Sequence, residues 1–361
     1  MKILILANND VGLYQFRKEL IEKFLIEHEV YISLPYGSFI DEFIKIGCKF
    51  INTPIDRRGV NPIKDIRLLL HYIKLIHGLH PDKVITYTIK PNIYGGIASR
   101  LLRNNLYANI TGLGTAFENT GLLKKIVIHL YKIALKNARR IFFENSDNLS
   151  TITNYKIATA ENTVLLNGAG VNLKKFLPLP YPAETKITRF LFIGRIMKEK
   201  GIDELLKACA RLHNESFKFV LEFLGFFEED YAAIFHKYQN EGWLLYSGYQ
   251  KDVRPYIKNC HCFVLPSWHE GMANTNLEAA ASARPIITSN IPGCREAVIN
   301  TISGYLCIPK DSNDLYIQLK KFITLSNDEK FAMGIAGREH ISINFDKNDV
   351  VNITCAELFN S

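Results

Sequence analysis

No run of about 18 uncharged apolar residues occurs in the 361-residue sequence, so no helix is expected to span a bilayer. The first strand-like run, KILILA, leads into NNDVG and not into G-x-G-x-x-G, which leaves a dinucleotide-dependent dehydrogenase poorly supported. KILILA is also too short for a signal-peptide core, and no small-residue cleavage site follows it. No Asp-x-Asp pair is present to hold a divalent ion against a diphosphate, so neither a metal nor any other cofactor is expected. Cysteine is sparse, with seven scattered residues of which only Cys260 and Cys262 are close. A Cys-His-Cys metal site there lacks a second cluster to complete four ligands, and free buried thiols in a reducing cytoplasm are expected instead. There is no fixed-period repeat and no low-complexity tract. Aromatic and basic residues do not interleave into a nucleic-acid-binding module, so nucleic acid is not expected as a partner.

What is present is an alternation of apolar strands and amphipathic helices. KILILA, EVYISLPY, CKFINTPI, DKVITYT, NLYANITGLG and RIFFEN are separated by helical stretches, and the pattern restarts with RFLFIGR, FKFVLEFLG, WLLYSGY, CHCFVLP, RPIITSN and SGYLCIP. Strands apolar on both faces belong to parallel sheets covered by helices above and below. The expected fold is α/β, with two doubly wound Rossmann-like domains and a cleft between the carboxyl ends of their sheets. The expected divisions are a first domain over 1–177, a proline-rich linker over 178–188, a second domain over 189–345, and a C-terminal helix over 346–361 packing back on the first domain. The last two helices are expected at 312–325 and 346–359.

The net charge of +8 is unevenly spread: residues 1–183 carry 24 Lys and Arg against 14 Asp and Glu, and the remainder 20 against 22. Within the basic half, residues 124–140 place Lys125, His129, Lys132, Lys136 and Arg139 on one helical face and Ile126, Leu130, Ile133, Ala134 and Ala138 on another. Such a helix is either a solvated face packed on a core or a contact with a membrane surface.

Two stretches of the second domain carry chemistry. In IGRIMKEKG, Gly194 permits a tight turn and sets Arg195 and Lys200 beside a helix start, where backbone N–H groups add partial positive charge and a diphosphate would fit. A solvent-exposed loop of a basic protein is the competing reading. In HEGMANTNLE, Glu270 falls in the loop and Glu278 inside the following helix. Gly271 allows close backbone approach, and the turn Met272, Ala273, Asn274 and Thr275 opens a helix able to receive phosphate. Carboxylates repel phosphates but accept from sugar hydroxyls, so Glu270 and Glu278 are candidates for gripping hydroxyls on either side of a diphosphate. Gly12, in the first strand-to-helix turn, would leave room for phosphates.

GRIMKEKG with HEGMANTNLE, followed by ARPIITSNIPGCREAV and SGYLC, resembles the retaining family 4 glycosyltransferases of the GT-B fold, and the resemblance covers most of the chain. It implies that Arg195 and Lys200 bind the donor diphosphate, that Glu270 contacts the donor sugar, and that Glu278 contacts the ribose. TIKPNIYGG, NITGLGTAF and NGAGVNLKKF are similar to the subgroup that builds capsule, O-antigen or N-glycan precursors on undecaprenyl diphosphate. The resemblance therefore implies a bacterial enzyme moving a hexose or N-acetylhexosamine from a UDP-sugar to a lipid-linked saccharide. It further implies an enzyme that is cytoplasmic and peripheral to the inner face of the membrane through the basic helix 124–140. Many members carry a histidine after the fourth strand, where YTIKPN offers Lys90 and Asn92. With Gly112 and Gly114 these are the acceptor-side candidates. A GT-B-like sugar-nucleotide epimerase and a non-catalytic nucleotide-binding protein are the alternatives.

Overall fold

The computed structural model describes every residue except 57, 58, 60, 114–116, 118–120, 360 and 361. The chain packs as two compact units, Met1–Ala169 with Asn348–Ser361, and Gly170–Lys347.

The first unit is built on a seven-stranded sheet in the order β3-β2-β1-β4-β5-β6-β7, with every pair parallel. Its strands are β1 (Lys2–Leu6), β2 (Glu29–Leu34), β3 (Lys49–Asn52), β4 (Lys83–Tyr87), β5 (Asn105–Ile110), β6 (Arg140–Phe143) and β7 (Thr163–Leu165). Ile3, Leu4, Ile5 and Leu6 are all buried, so both faces of the central strand are covered. Each such side chain contributes about 1.5–3 kcal/mol. The helices are α1 (Asp10–Leu25), α2 (Ile40–Lys45), α3 (Pro62–Leu79), α4 (Gly96–Leu101), α5 (Leu122–Leu135) and α6 (Ser146–Asn154). A one-turn π-helix, Pro91–Gly95, precedes α4. Side chains of Asn9, Asn61 and Asn145 cap α1, α3 and α6, accepting from backbone N–H groups of the first turn.

The basic helix α5 buries Val127, Tyr131, Ala134 and Leu135. Ile126, expected on the apolar face, is exposed beside Leu122 and Leu123. The core-facing stripe is thus rotated by one residue from the expected one, because the aromatic Tyr131 takes the central core position.

The second unit carries a six-stranded, all-parallel sheet in the order β10-β9-β8-β11-β12-β13. Its elements are β8 (Thr188–Ile193), α7 (Ile202–Asn214), β9 (Phe219–Leu224), α8 (Ala232–Asn240), β10 (Leu244–Tyr246), α9 (Arg254–Asn259), β11 (Cys262–Leu265), α10 (Asn274–Ala281), β12 (Ile286–Ser289), β13 (Gly304–Cys307), α11 (Ser312–Thr324) and α12 (Asn327–Asn344). Helix α12 was not expected. It opens on a capping box between Ser326 and Glu329. The last helix, α13 (Lys347–Phe359), belongs to the first unit, with Val350 and Leu358 in its core, the Tyr107 hydroxyl donating to the Leu358 carbonyl at 3.3 Å, and Arg140 paired with Glu357 at 2.5 Å.

The proline-rich segment 178–188, expected as a linker, is grouped with the second unit, whose first residue is Gly170, and most of it is exposed. Buried Arg284 holds it by donating to the carbonyls of Leu179 and Pro180. Cys260, His261 and Cys262 are all buried, and no metal-binding cluster of His, Cys, Asp and Glu exists among the described residues. No described helix is long and apolar enough to cross a membrane.

Candidate active site

At the carboxyl end of the second unit's sheet, three pairs of turns are locked backbone to backbone. Gly225 (φ +145°) approaches the Gly194 carbonyl so closely that a Cβ on Gly225 would stand 1.8 Å from that oxygen. At Gly201 (φ +71°) a Cβ would lie 2.1 Å from the Pro266 carbonyl oxygen, and at Gly293 (φ +83°) 2.6 Å from that of Gly271. Only glycine combines this conformation with this approach. The GRIMKEKG turn is thereby joined to the SWHEG turn, a link extended by the Trp268 N–H donating to the Glu199 carbonyl at 2.9 Å.

This lock brings Lys200 and Glu270 into contact. The Lys200 ammonium donates to Oε1 of Glu270, and the Ser267 hydroxyl donates to the same oxygen at 2.8 Å. Both side chains of the pair are about six-sevenths buried, at 16% and 13% exposure. Oε2 of Glu270 has no partner among the described residues. The pair therefore presents an ammonium with N–H donors to spare beside a carboxylate oxygen with open lone pairs. Arg195, at the end of β8, is half exposed, 3.6 Å from Glu228.

Glu278 stands one helical stretch further on, in α10, facing Lys175 and Lys347. Burial pushes its carboxyl up to about 7, against the opposing pull of the two lysines. Lys175, Lys347, Ser267 and Glu228 were not singled out in the sequence. Lys175 does lie in the quoted NGAGVNLKKF segment.

The helix start offers fewer free donors than expected. The Ala273 N–H donates to the Gly293 carbonyl at 2.7 Å and the Asn274 N–H to the Met272 carbonyl at 3.0 Å. Met272 and Ala273 are buried, and Thr275 is partly exposed at the first turn of α10. The glycine-led turns after β9 and β10 carry one more feature. Phe226, 59% exposed, stacks on Tyr249 with centroids 4.5 Å apart and planes 8° from parallel.

In the first unit, the candidates are partly used by the fold. The Gly12 amide donates to the Asn9 side chain at 2.7 Å. Asn92 is buried, its Oδ1 accepting from Thr86 at 2.6 Å and its Nδ2 donating to the Asn109 carbonyl at 2.9 Å. Two of the four hydrogen-bonding positions of this amide are thus taken up by β4 and β5. Lys90 pairs with Asp65 at 2.7 Å, each side chain 14% exposed. Gly112 has φ +156° just beyond β5. Gly114 lies outside the described residues.

Two Rossmann-like parallel sheets in one chain make up the GT-B fold, and here the second sheet ends in a paired lysine and glutamate held by glycine-locked turns. The glycosyl transferases group 1 model matches residues 180–340, and the glycosyl transferase 4-like model matches residues 2–145. The chain is a glycosyltransferase, each of its two units matching a glycosyltransferase model. It is 27% identical over 367 residues to the N,N'-diacetylbacillosaminyl-diphospho-undecaprenol alpha-1,3-N-acetylgalactosaminyltransferase of Campylobacter jejuni, covering 96% of each chain. It is 27% identical over 338 residues to the UDP-Gal:alpha-D-GlcNAc-diphosphoundecaprenol alpha-1,3-galactosyltransferase of Escherichia coli, covering 88% of this chain and 84% of that one. The crystal structure of Anabaena HepE in complex with UDP-glucose shares the fold, with a TM-score of 0.83 over 100% of both chains at 16% identity.

Proposed function

We propose that this glycosyltransferase moves a hexose or N-acetylhexosamine from a UDP-sugar to a saccharide carried on a polyprenyl diphosphate, with retention of configuration and without a metal ion. The observation that carries the reading is the Lys200–Glu270 pair with its open carboxylate oxygen. Departure of a nucleoside diphosphate builds negative charge on the distal phosphate. Fixed cations there stabilise the transition state more than the ground state. Lys200 and Arg195 would supply that charge, while Oε2 of Glu270 accepts from a hydroxyl of the sugar. Glu278, ionised, would accept from the ribose, and the exposed face of Phe226 would carry the base.

The names of the two relatives support the lipid-linked acceptor, since both act on sugars attached to diphosphoundecaprenol and one uses UDP-Gal. On the acceptor side, Lys90 would meet the lipid diphosphate by exchanging part of its contact with Asp65. Helix α5 would rest on the inner face of the cytoplasmic membrane, for Leu122, Leu123 and Ile126 are exposed among Lys125, His129 and Lys132. Apolar side chains flanked by lysines suit an anionic interface.

The test is a panel of nucleotide sugars incubated with and without a membrane lipid extract, reading released nucleoside diphosphate. Release that requires both a UDP-sugar and the extract supports the reading. Conversion of the donor without any acceptor would instead favour an epimerase, and binding without turnover a non-catalytic protein.

A further inference from the structure

At the opposite end of the second unit's strands, where β8 and β11 begin, two adjoining cavities of about 540 and 350 Å³ share Thr185 and His261 in their walls. Arg189 and Lys258 line the larger, and Lys186, Lys218 and Lys330 the smaller, with Glu184 the one carboxylate in either wall. None of these five cations forms an ion pair among the described residues. They gather in the half of the chain where acidic residues outnumber basic ones.

Two of the charges there are buried with no carboxylate in contact, although Glu184 and Glu329 act on Lys330 from a distance. Lys330 is 8% exposed, and its ammonium has one acceptor, the Ile323 carbonyl at 3.1 Å, for three N–H donors. Arg284, fully buried behind Tyr181, donates only to carbonyls. His261, between the cavities, registers the result. Burial, then Lys330, Arg189 and Arg284, press its imidazole down to about 4. The carboxyl ends of α7 and α11 lie nearby, but each helix end supplies only about half a negative charge, against five cations. A buried ammonium with two N–H donors unmatched and no carboxylate in contact is destabilised, and a bound anion would offset that.

We propose that this two-lobed pocket binds a multiply charged, phosphate-bearing small anion, one phosphoryl group between Arg189 and Lys258 and the other between Lys218 and Lys330. The ligand joins the segment 180–186, which forms one wall of both cavities, to the start of the sheet. The site is separate from the one proposed for the donor, which lies at the other end of the same strands.

Inorganic pyrophosphate is the probe, titrated calorimetrically into the full chain with UDP held at saturation so that the Arg195–Lys200 region is occupied. One pyrophosphate per chain is expected to bind, with Kd raised at least tenfold in the exposed-residue variant Arg189→Ala/Lys258→Ala and again in Lys218→Ala. UDP affinity, measured separately, stays at the unmodified value in both. Inorganic phosphate, filling one lobe, binds at least tenfold more weakly. Absence of pyrophosphate binding, or binding indifferent to the three substitutions, overturns the site. Equal affinity for phosphate and pyrophosphate overturns the two-lobed arrangement. Because UDP affinity is read independently, failure of the donor-site reading would leave this result interpretable.

Discussion

Gly201 and Pro266 touch through backbone alone: a methyl group on the glycine would stand 2.1 Å from the Pro266 carbonyl oxygen. That contact fixes the lysine-bearing turn against the glutamate-bearing one. Gly201→Ala adds a clash to a left-handed conformation and is expected to cost about 2–4 kcal/mol. Urea unfolding measures it, and an unchanged midpoint would show that the two turns are not locked.

Removing the ammonium at the site tests the charge argument. Lys200→Ala is expected to lower kcat on the order of 10²–10³-fold. Glu270→Gln keeps the Ser267 contact and the shape but loses the charge, and is expected to lower kcat/KM with little change in UDP affinity. Steady-state kinetics with UDP binding measured alongside separates these effects. Full activity of Lys200→Ala would remove the proposed mechanism.

The carboxyl of Glu278 has a pH signature. Its folded value of about 7 lies above its ordinary 4.5, so the folded chain holds a proton that the unfolded chain has released between those values. Stability therefore falls as pH rises through that window, by about 3 kcal/mol at most, and Glu278→Gln abolishes that part of the slope. If the ionised carboxylate grips the ribose, UDP affinity rises from pH 6 to 8 in the unmodified chain and stays flatter in Glu278→Gln. Parallel pH profiles in the two proteins would exclude that role.

Neutralising Lys125, Lys132 and Lys136 of α5 together is expected to weaken binding to anionic vesicles on the order of 100-fold, from about 1 kcal/mol per charge. Vesicle co-sedimentation measures this, with UDP affinity as the control. Unchanged sedimentation would move the membrane contact elsewhere.

Phe226→Ala removes an exposed ring and leaves Tyr249 beneath it. A stacked base contributes about 1–3 kcal/mol, so UDP affinity should drop roughly 5- to 100-fold. Loss of discrimination against other nucleotides in competition assays would accompany it.

Much of the fold was legible because buried parallel strands write themselves as uninterrupted apolar runs, and KILILA and CHCFVLP are such runs. Arg195, Lys200, Glu270 and Glu278 were picked out by residue chemistry together with the family resemblance, and of these Lys200 and Glu270 are in contact. Helix α12 was not, since Gly334 and Gly337 dilute its periodicity. Gly334 packs where a Cβ would meet the Ala283 carbonyl at 2.4 Å, a tertiary cause invisible along the chain. The Ser326–Glu329 box was the available signal. The tie that Asn92 makes between β4 and β5 was not legible, because it depends on partners 6 and 17 residues away. The proline-rich 178–188 segment resembled a linker because nothing local reveals that Arg284, some hundred residues later, ties it down.

The order in which the chain is made gives the position of α13 a temporal meaning. Leu358 and Val350 complete a core whose other members all precede residue 170. On the ribosome, the first unit must wait with that hydrophobic seat vacant while the whole of Gly170–Lys347 is synthesised. Its core therefore closes only after the residues of the second unit have been made, although its sheet is translated first.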